Sequence, residues 1–261
     1  MSLSAIEIKK SLSDLSSKVN VVVLDECSST NDEANRLLRE TTLPFCVLSR
    51  RQISGRGRMS RSWFSSENAS ICLSVVADMS KIKGDVLASA TVRVGMAVCS
   101  SLNNISREKF YLKWPNDIYS SQGKKIAGML AELKNIDGTY KIIFGIGLNY
   151  NLSLCRESLP KDIENSVDDI YSKLIEKKSI NEIASIVIDA TENALKKSIL
   201  PSPDEYSKLD WLYGKNVNIT IGNRNFSGTA SGINSLGNLL VTLQNGSIEI
   251  VNSGEATLHK S

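Results

Sequence analysis

The stretch Ile126-Ala127-Gly128-Met129-Leu130-Ala131-Glu132-Leu133, followed by Asp137-Gly138 and then Tyr140-Lys141-Ile142-Ile143-Phe144-Gly145-Ile146-Gly147-Leu148, reads as two strands joined by a tight turn. Asp-Gly supplies the positive φ that a two-residue hairpin turn requires. Residues 110–114, just upstream, read as a third strand. Strands that follow one another through short turns, without a helix between each pair, point to an antiparallel or mixed sheet backed by helices, and so to an α+β fold.

Working outward, residues 86–102 carry Leu87, Ala90, Val94, Ala97, Val98 and Leu102 at helical spacing and predict one amphipathic helix. Residues 21–24, 45–49 and 70–76 read as strands, the last two joined by an arginine-rich loop. Thr30-Asn31-Asp32-Glu33 has the sequence of a capping box, with Ala34, Leu37 and Leu38 as the apolar stripe of the helix it would start. Downstream, residues 167–200 are expected to be helical, most clearly over 180–197, until Pro201-Ser202-Pro203 breaks the pattern. Four short runs follow (217–221, 226–233, 239–243 and 248–251), separated by Gly222-Asn223, Gly237-Asn238 and Asn245-Gly246. They suggest a small β-barrel that docks on the larger unit. The boundary predicts domains at 1–203 and 204–261.

The 261 residues, 41% of them hydrophobic, can bury a sizeable core. No apolar run approaches the roughly 18 residues of a membrane span, and the first ten residues lack a signal-peptide pattern, so no membrane role and a cytoplasmic setting are expected. Cys27, Cys46, Cys72, Cys99 and Cys155 are odd in number and dispersed, which argues against a disulfide framework or a zinc knuckle. The only histidine is His259, so a Ser-His-Asp triad or a multi-histidine metal site is not expected. The net charge of +3 is unevenly placed: five arginines and no acid lie between Arg50 and Arg61, leaving the remainder near −2. Such local positive charge suits an anion.

Four segments could carry chemistry. In Gly55-Arg56-Gly57-Arg58-Met59-Ser60-Arg61-Ser62-Trp63, two glycines let backbone amides approach a ligand, three arginines offer forked donors for phosphate or carboxylate, and Trp63 offers a flat face. Lys113-Trp114-Pro115-Asn116-Asp117 stops a strand and leaves an amide and a carboxylate at its end. Lys124-Lys125-Ile126-Ala127-Gly128 begins a strand with a lysine, and Gly128 leaves space for a ligand. In Gly145-Ile146-Gly147-Leu148-Asn149, alternate glycines open a slot on one face of a strand. Each taken alone also reads as ordinary structure: a solvated basic loop, an Asx turn, a surface lysine pair, a bulge.

In this order, together with Ser29-Thr30-Asn31, Gln52 and Ser253-Gly254-Glu255, the segments resemble the successive signatures of biotin-protein ligases over roughly residues 20–258. That resemblance implies a class II synthetase-like catalytic domain with a C-terminal SH3-like barrel. It also implies ATP-dependent formation of biotinyl-5′-AMP and transfer of biotin to one lysine of a biotin carboxyl carrier domain. ATP and biotin would be substrates, with magnesium arriving on the nucleotide phosphates, and no protein metal site is assigned.

By the same resemblance, Ser29, Thr30, Asn31 and Gln52 hold the biotin ring. Gly55, Arg56, Gly57 and Arg58 close over its acyl chain, which lies against Gly128 and Gly147. Lys125 bridges the carboxylate and α-phosphate, Arg58 and Arg61 hold phosphates, Trp63 stacks on adenine, and Asn116 and Asn149 bind the nucleotide. Asp117 is the candidate for orienting magnesium or the incoming lysine, and with Lys125 and Arg58 makes up the catalytic set. Two positions depart from the family pattern: Ser60 stands where many relatives have glycine, and His259 where some have arginine. Bifunctional relatives place a winged helix-turn-helix ahead of the Ser-Thr-Asn motif, which needs about 60 residues more than the 28 preceding Ser29, so a ligase without DNA binding is expected. The sequence leaves homodimerisation open. A lipoate- or octanoate-protein ligase of the same fold and, from another class, a nucleic-acid-binding module built on the arginine loop are the competing readings.

Overall fold

A computed structural model of the chain describes residues 2–258. Seven strands, β1 (Asn20–Cys27), β2 (Phe45–Gln52), β3 (Ser70–Asp78), β4 (Phe110–Lys113), β5 (Asp117–Ser120), β6 (Lys125–Ile136) and β7 (Thr139–Asn149), form one sheet in the order β1-β2-β3-β7-β6-β5-β4. β1 and β2 pair in parallel and the other pairs are antiparallel, so the expected mixed sheet is present. The deciding turn is as read: Asp137 and Gly138 both have positive φ, 50° and 81°, and β6 and β7 run in register from Ile136 opposite Thr139 to Ala127 opposite Leu148.

The helices are α1 (Ala5–Ser11), α2 (Thr30–Leu37), α3 (Gly84–Ala88), α4 (Ala90–Asn103), α5 (Ile180–Lys196) and α6 (Pro203–Ser207). Because successive strand residues face opposite sides, Leu73, Val75, Phe144 and Ile146 share the main core with Val94 and Val98 of α4 and Ile183 and Val187 of α5. On the other face Val47, Val76 and Ile143 meet Ala34 and Leu38 beside α2. That second cluster is small and covers one end of its face. Toward the other end the face carries Cys72, Ser74, Gly145 and Gly147, whose small side chains leave room beneath the loop between β2 and β3. One row of paired residues crosses that end, Lys113–Asp117–Gly128–Gly147–Cys72–Ser49, and so brings three separate sequence motifs side by side.

Several expectations are corrected. The helix expected over 86–102 is two, broken at Ser89, where ψ is near 0°. The helical region expected from 167 contracts to α5, with only a 3-10 turn at Tyr171–Lys173 before it; Ser179 and Glu182 supply the capping box that stops α5 from extending further back. At α2 the cap is Ser29, and Thr30 does not act as one: its N–H and hydroxyl both turn to Gln52 Oε1, at 2.8 and 3.1 Å, while Glu33 pairs with Arg36. α1 and β5 were not foreseen.

Beyond Pro201, β8 (Asn216–Ile221), β9 (Arg224–Ile233), β10 (Leu239–Thr242), β11 (Ile248–Val251) and β12 (Glu255–Leu258) form a separate antiparallel sheet in the order β11-β10-β9-β8-β12. The strand β12 starts at the Ser253-Gly254-Glu255 motif and was not expected as a strand. The chain between the two sheets is stitched to the free edge of β4, Leu112 N–H donating to Leu209 O (2.7 Å) and Trp211 N–H to Leu112 O (3.0 Å). Trp114 adds a bond across the units, from its Nε1 to Gly237 O at 3.0 Å. His259 lies outside the described residues. Among those residues no helix is long and apolar enough to cross a membrane.

Candidate active site beneath an arginine hairpin

The basic loop is a small hairpin. Trp63 N–H donates to Gly55 O (2.8 Å), Gly57 N–H to Arg61 O (2.7 Å) and Arg61 N–H to Arg58 O (3.1 Å). The last bond closes a turn whose central residues, Met59 and Ser60, have φ of 53° and 60°, the geometry of a type I′ turn built without glycine. Gly55 is required at the hairpin base, where a Cβ would come within 2.5 Å of Trp63 O. The expectation that the glycine amides face a ligand is modified: the Gly57 amide is spent within the hairpin.

Beneath it lies a cavity of about 240 Å³. At one end Ser74, from the sheet floor, donates to Asn31 Oδ1 (2.6 Å) and stands 2.8 Å from Thr30 Oγ1. Asn31 in turn donates to Glu132 (3.0 Å), and Glu132 and Asp32 both hold Arg56, at 2.9 and 2.5 Å. Burial pushes the Glu132 carboxyl up, but Lys134, Asn31 and Arg56 outweigh it and hold the group below the usual carboxylate range. A buried, hydrogen-bonded polar end of this kind recognises a polar ring rather than an aliphatic one.

In the middle, the slot expected over the alternate glycines exists and is filled. A Cβ on Gly147 would overlap the Trp63 indole, one on Gly145 would overlap Asn31 Oδ1, and one on Gly128 would meet Trp63 and Lys125 at 3.1 Å. Among the described residues the buried Trp63 Nε1 has no well-formed hydrogen bond, the Cys72 thiol being a weak acceptor beside it. With that ring in place the cavity is below the ~300–1,000 Å³ typical of small-molecule sites.

The other end is charged. Lys125 Nζ pairs with Asp117 at 2.8 Å and sits 5.5 Å from the Trp63 ring centroid. Arg58 reaches Asn116 Oδ1 and Gly254 O, each at 3.3 Å, and Arg61 makes a two-oxygen pair with Glu255 at 2.6 Å. Burial lowers the Arg58 guanidinium from its usual value, and burial lowers the Lys113 ammonium although Asp117 partly restores it. Desolvated cations with few partners are prepared for an anionic ligand.

The structure thus brings Ser29, Thr30, Asn31, Gln52, Arg56, Gly57, Arg58, Arg61, Trp63, Asn116, Asp117, Lys125, Gly128 and Gly147 to one cavity. Asn149 is placed apart: its buried amide donates to Lys125 O (3.1 Å) and Asp168 O (3.0 Å), tying down the start of β6 and leaving the cavity wall to others. Lys113, Tyr119, Ser74, Glu132 and Glu255 took no site role in the sequence reading. Lys113 and Glu255 stood inside quoted motifs, whereas Ser74 is hidden in a buried strand run with no local signal.

Known proteins match both units. Residues 23–149 match the model of the biotin/lipoate A/B protein ligase family, and residues 212–258 that of the biotin protein ligase C terminal domain. Over 247 residues, 93% of this chain and 75% of the relative, the sequence is 28% identical to the bifunctional ligase/repressor BirA of Escherichia coli. It is 24% identical to the biotin--[acetyl-CoA-carboxylase] ligase of Mycobacterium tuberculosis, covering 80% of this chain and 77% of that one. Among solved structures, the biotin protein ligase of Aquifex aeolicus in complex with biotin and ATP superposes with a TM-score of 0.76 at 28% identity, covering 93% of this chain and 99% of that one. With a cavity that pairs a polar recognition end with a cationic end, and with both family models matched in order, the chain belongs to the biotin/lipoate A/B protein ligase family and, within it, to the biotin protein ligases.

Proposed function

We propose that the chain activates biotin with ATP to biotinyl-5′-AMP and then passes biotin to a lysine of a biotin carboxyl carrier domain. The observation that carries this is the single cavity with two unlike ends, joined by a glycine-floored slot. In the first step a carboxylate oxygen bonds to the α-phosphorus while the bond to the β-phosphate oxygen breaks and pyrophosphate leaves. In the second, a lysine amine attacks the acyl carbon, the bond to AMP breaks and the amine loses a proton. Both steps depend on bringing charged groups together and neutralising them.

Ser29, Thr30, Asn31 and Gln52 hold the ureido ring, and the segment from Gly55 to Arg58 covers the acyl chain. Trp63 fills the space over Gly128 and Gly147, so binding displaces its ring, which then packs against the flat part of the ligand. Lys125 spans the carboxylate and α-phosphate, Arg58 and Arg61 take the phosphates, and Asn116 holds nucleotide. Arg61 must exchange Glu255 for phosphate in doing so. Among the described residues no group of three or more His, Cys, Asp or Glu is arranged to hold a metal ion. Magnesium carried by phosphates needs only one or two carboxylates. Asp117, which faces the cavity, would hold it, and the ion would neutralise phosphate charge.

Residues 1–203 act as the catalytic unit and 204–261 as the small companion domain. Biotin-dependent exchange of labelled pyrophosphate into ATP tests the proposal; lipoate-dependent exchange with none for biotin would favour the lipoate ligase instead.

A further inference from the structure

The face of the sheet that carries the cavity continues beyond it. Past Asp117, strands β5 and β4 place Tyr119, Tyr111 and Lys113 on that side, with Lys109 just before β4, while Phe110, Leu112 and Ile118 enter the core. Trp211, on the segment stitched to β4, packs against both tyrosines, with ring centroids 5.7 Å from Tyr111 and 6.0 Å from Tyr119. Each ring carries an ammonium: Lys215 Nζ lies 3.4 Å from the Trp211 centroid, Lys113 Nζ 5.1 Å from Tyr119 and Lys109 Nζ 5.3 Å from Tyr111. Of the nearby carboxylates, Asp117 is paired with Lys125 and Glu255 with Arg61, while Asp210 lies buried near Lys215; among the described residues none forms an ion pair with these three lysines. Burial lowers Lys113 and Lys215 from the usual lysine range, and the charges of Asp117 and Glu255 at Lys113 and of Asp210 at Lys215 only partly offset it. The fold has therefore withdrawn water from two cations without bringing a carboxylate into contact with either.

We propose that this shelf of lysines and aromatic rings is the docking surface for the protein that accepts the acyl group, and that the acceptor meets it with an acidic face. The inference rests on the transfer reaction proposed above. Lys113 and Tyr119 line both the cavity and the shelf, so a domain seated there holds its lysine at the cavity mouth. Aromatic side chains are favoured anchors in protein interfaces, and lysines already laid on rings lose less freedom when a partner carboxylate arrives. Single-stranded nucleic acid fits less well, because it stacks bases on bare aromatic faces. Here each ring is covered by an ammonium, and the ring pairs are tilted at 56° and 46°.

The test uses Lys109→Glu/Lys215→Glu, at two residues outside the cavity lining, with a recombinant apo biotin carboxyl carrier domain as acceptor. Biotin-dependent pyrophosphate exchange without acceptor should match the unmodified enzyme. The KM for the carrier domain should rise about tenfold or more with kcat retained, and the salt dependence of that KM should flatten. Lys109→Gln/Lys215→Gln guards against unfolding by charge reversal and should raise KM about threefold. An unchanged KM in either folded variant overturns the proposal, as does a single-stranded oligonucleotide that binds the unmodified protein but not the variant. Exchange that fails in the unmodified enzyme would refute the activity instead, and binding of the carrier domain, followed by fluorescence anisotropy, would still read the shelf.

Discussion

Lys125 is held in the cavity directly against a carboxylate of the floor, 2.8 Å from Asp117, and its position is fixed from behind by the Asn149 amide on its own carbonyl. A cation so placed neutralises charge where carboxylate and phosphate approach, with little reorganisation at the moment of reaction. Lys125→Ala should slow adenylate formation by about 100-fold or more in single-turnover experiments, with biotin affinity changed far less. A near-normal rate would transfer the role to Lys113, the other lysine beside Asp117. Gly147 invites a complementary change. An added methyl group overlaps the Trp63 ring, so Gly147→Ala forces the indole from the slot and narrows the slot itself. Overpacking of this size costs about 1–3 kcal/mol; the free enzyme relieves it by moving the indole, whereas the ligand-filled slot does not, so calorimetry should show biotin binding weakened by roughly 5- to 150-fold. Unaltered affinity would mean that ring and ligand do not share this space.

At the scale of elements, the hairpin of residues 55–63 shows what sequence can and cannot reveal. Its arginines and glycines marked it at once, because fork-shaped donors and small residues have meaning without neighbours. Its fold was not legible, since Met59 and Ser60 carry no turn signal and yet both adopt positive φ. The same division holds elsewhere. Asp137-Gly138 announced its hairpin through backbone chemistry alone, whereas Thr30 looked like a helix cap until Gln52, far away in sequence, claimed its donors. Strand β5 has four residues and depends on β4 and β6 for its existence, so no window centred on it could find it. Ser60 offers the direct test. A left-handed non-glycine residue costs roughly 1–2 kcal/mol, less the entropy that glycine loses on ordering. Ser60→Gly should favour the closed hairpin by about 1 kcal/mol, and limited trypsin cleavage after Arg58 and Arg61 should slow about fivefold. Faster cleavage would show that the turn is not strained where it counts.

For the whole molecule, the two sheets share the site rather than merely adjoining it. Gly254 and Glu255 of the small sheet hold Arg58 and Arg61 of the large unit, and the junction between the sheets is sewn along β4. Sequence marked the small domain through its turns and the Ser253-Gly254-Glu255 motif, but not its reach into the cavity, which is a matter of docking. The junction holds a further device that only packing reveals. Asp210, opposite Leu112, is 9% exposed; one carboxylate oxygen accepts from Leu212 N–H at 2.8 Å and the other has no hydrogen-bond partner among the described residues. Burial raises its pKa to about 6, although backbone N–H groups of Leu212 and Tyr213 and the charge of Lys215 pull the other way. An unfolded chain would release this proton near pH 3.9, so the folded state binds it more tightly. Its stabilising contribution is therefore complete below about pH 4 and lost as pH rises through about 6. Asp210→Asn keeps the acceptor oxygen and removes the charge. In urea titrations it should be more stable than the unmodified protein by roughly 1–3 kcal/mol at pH 7.5, the difference vanishing near pH 4. A difference of the same size at both pH values would assign the effect to packing, and the junction would then carry no buried charge to relieve.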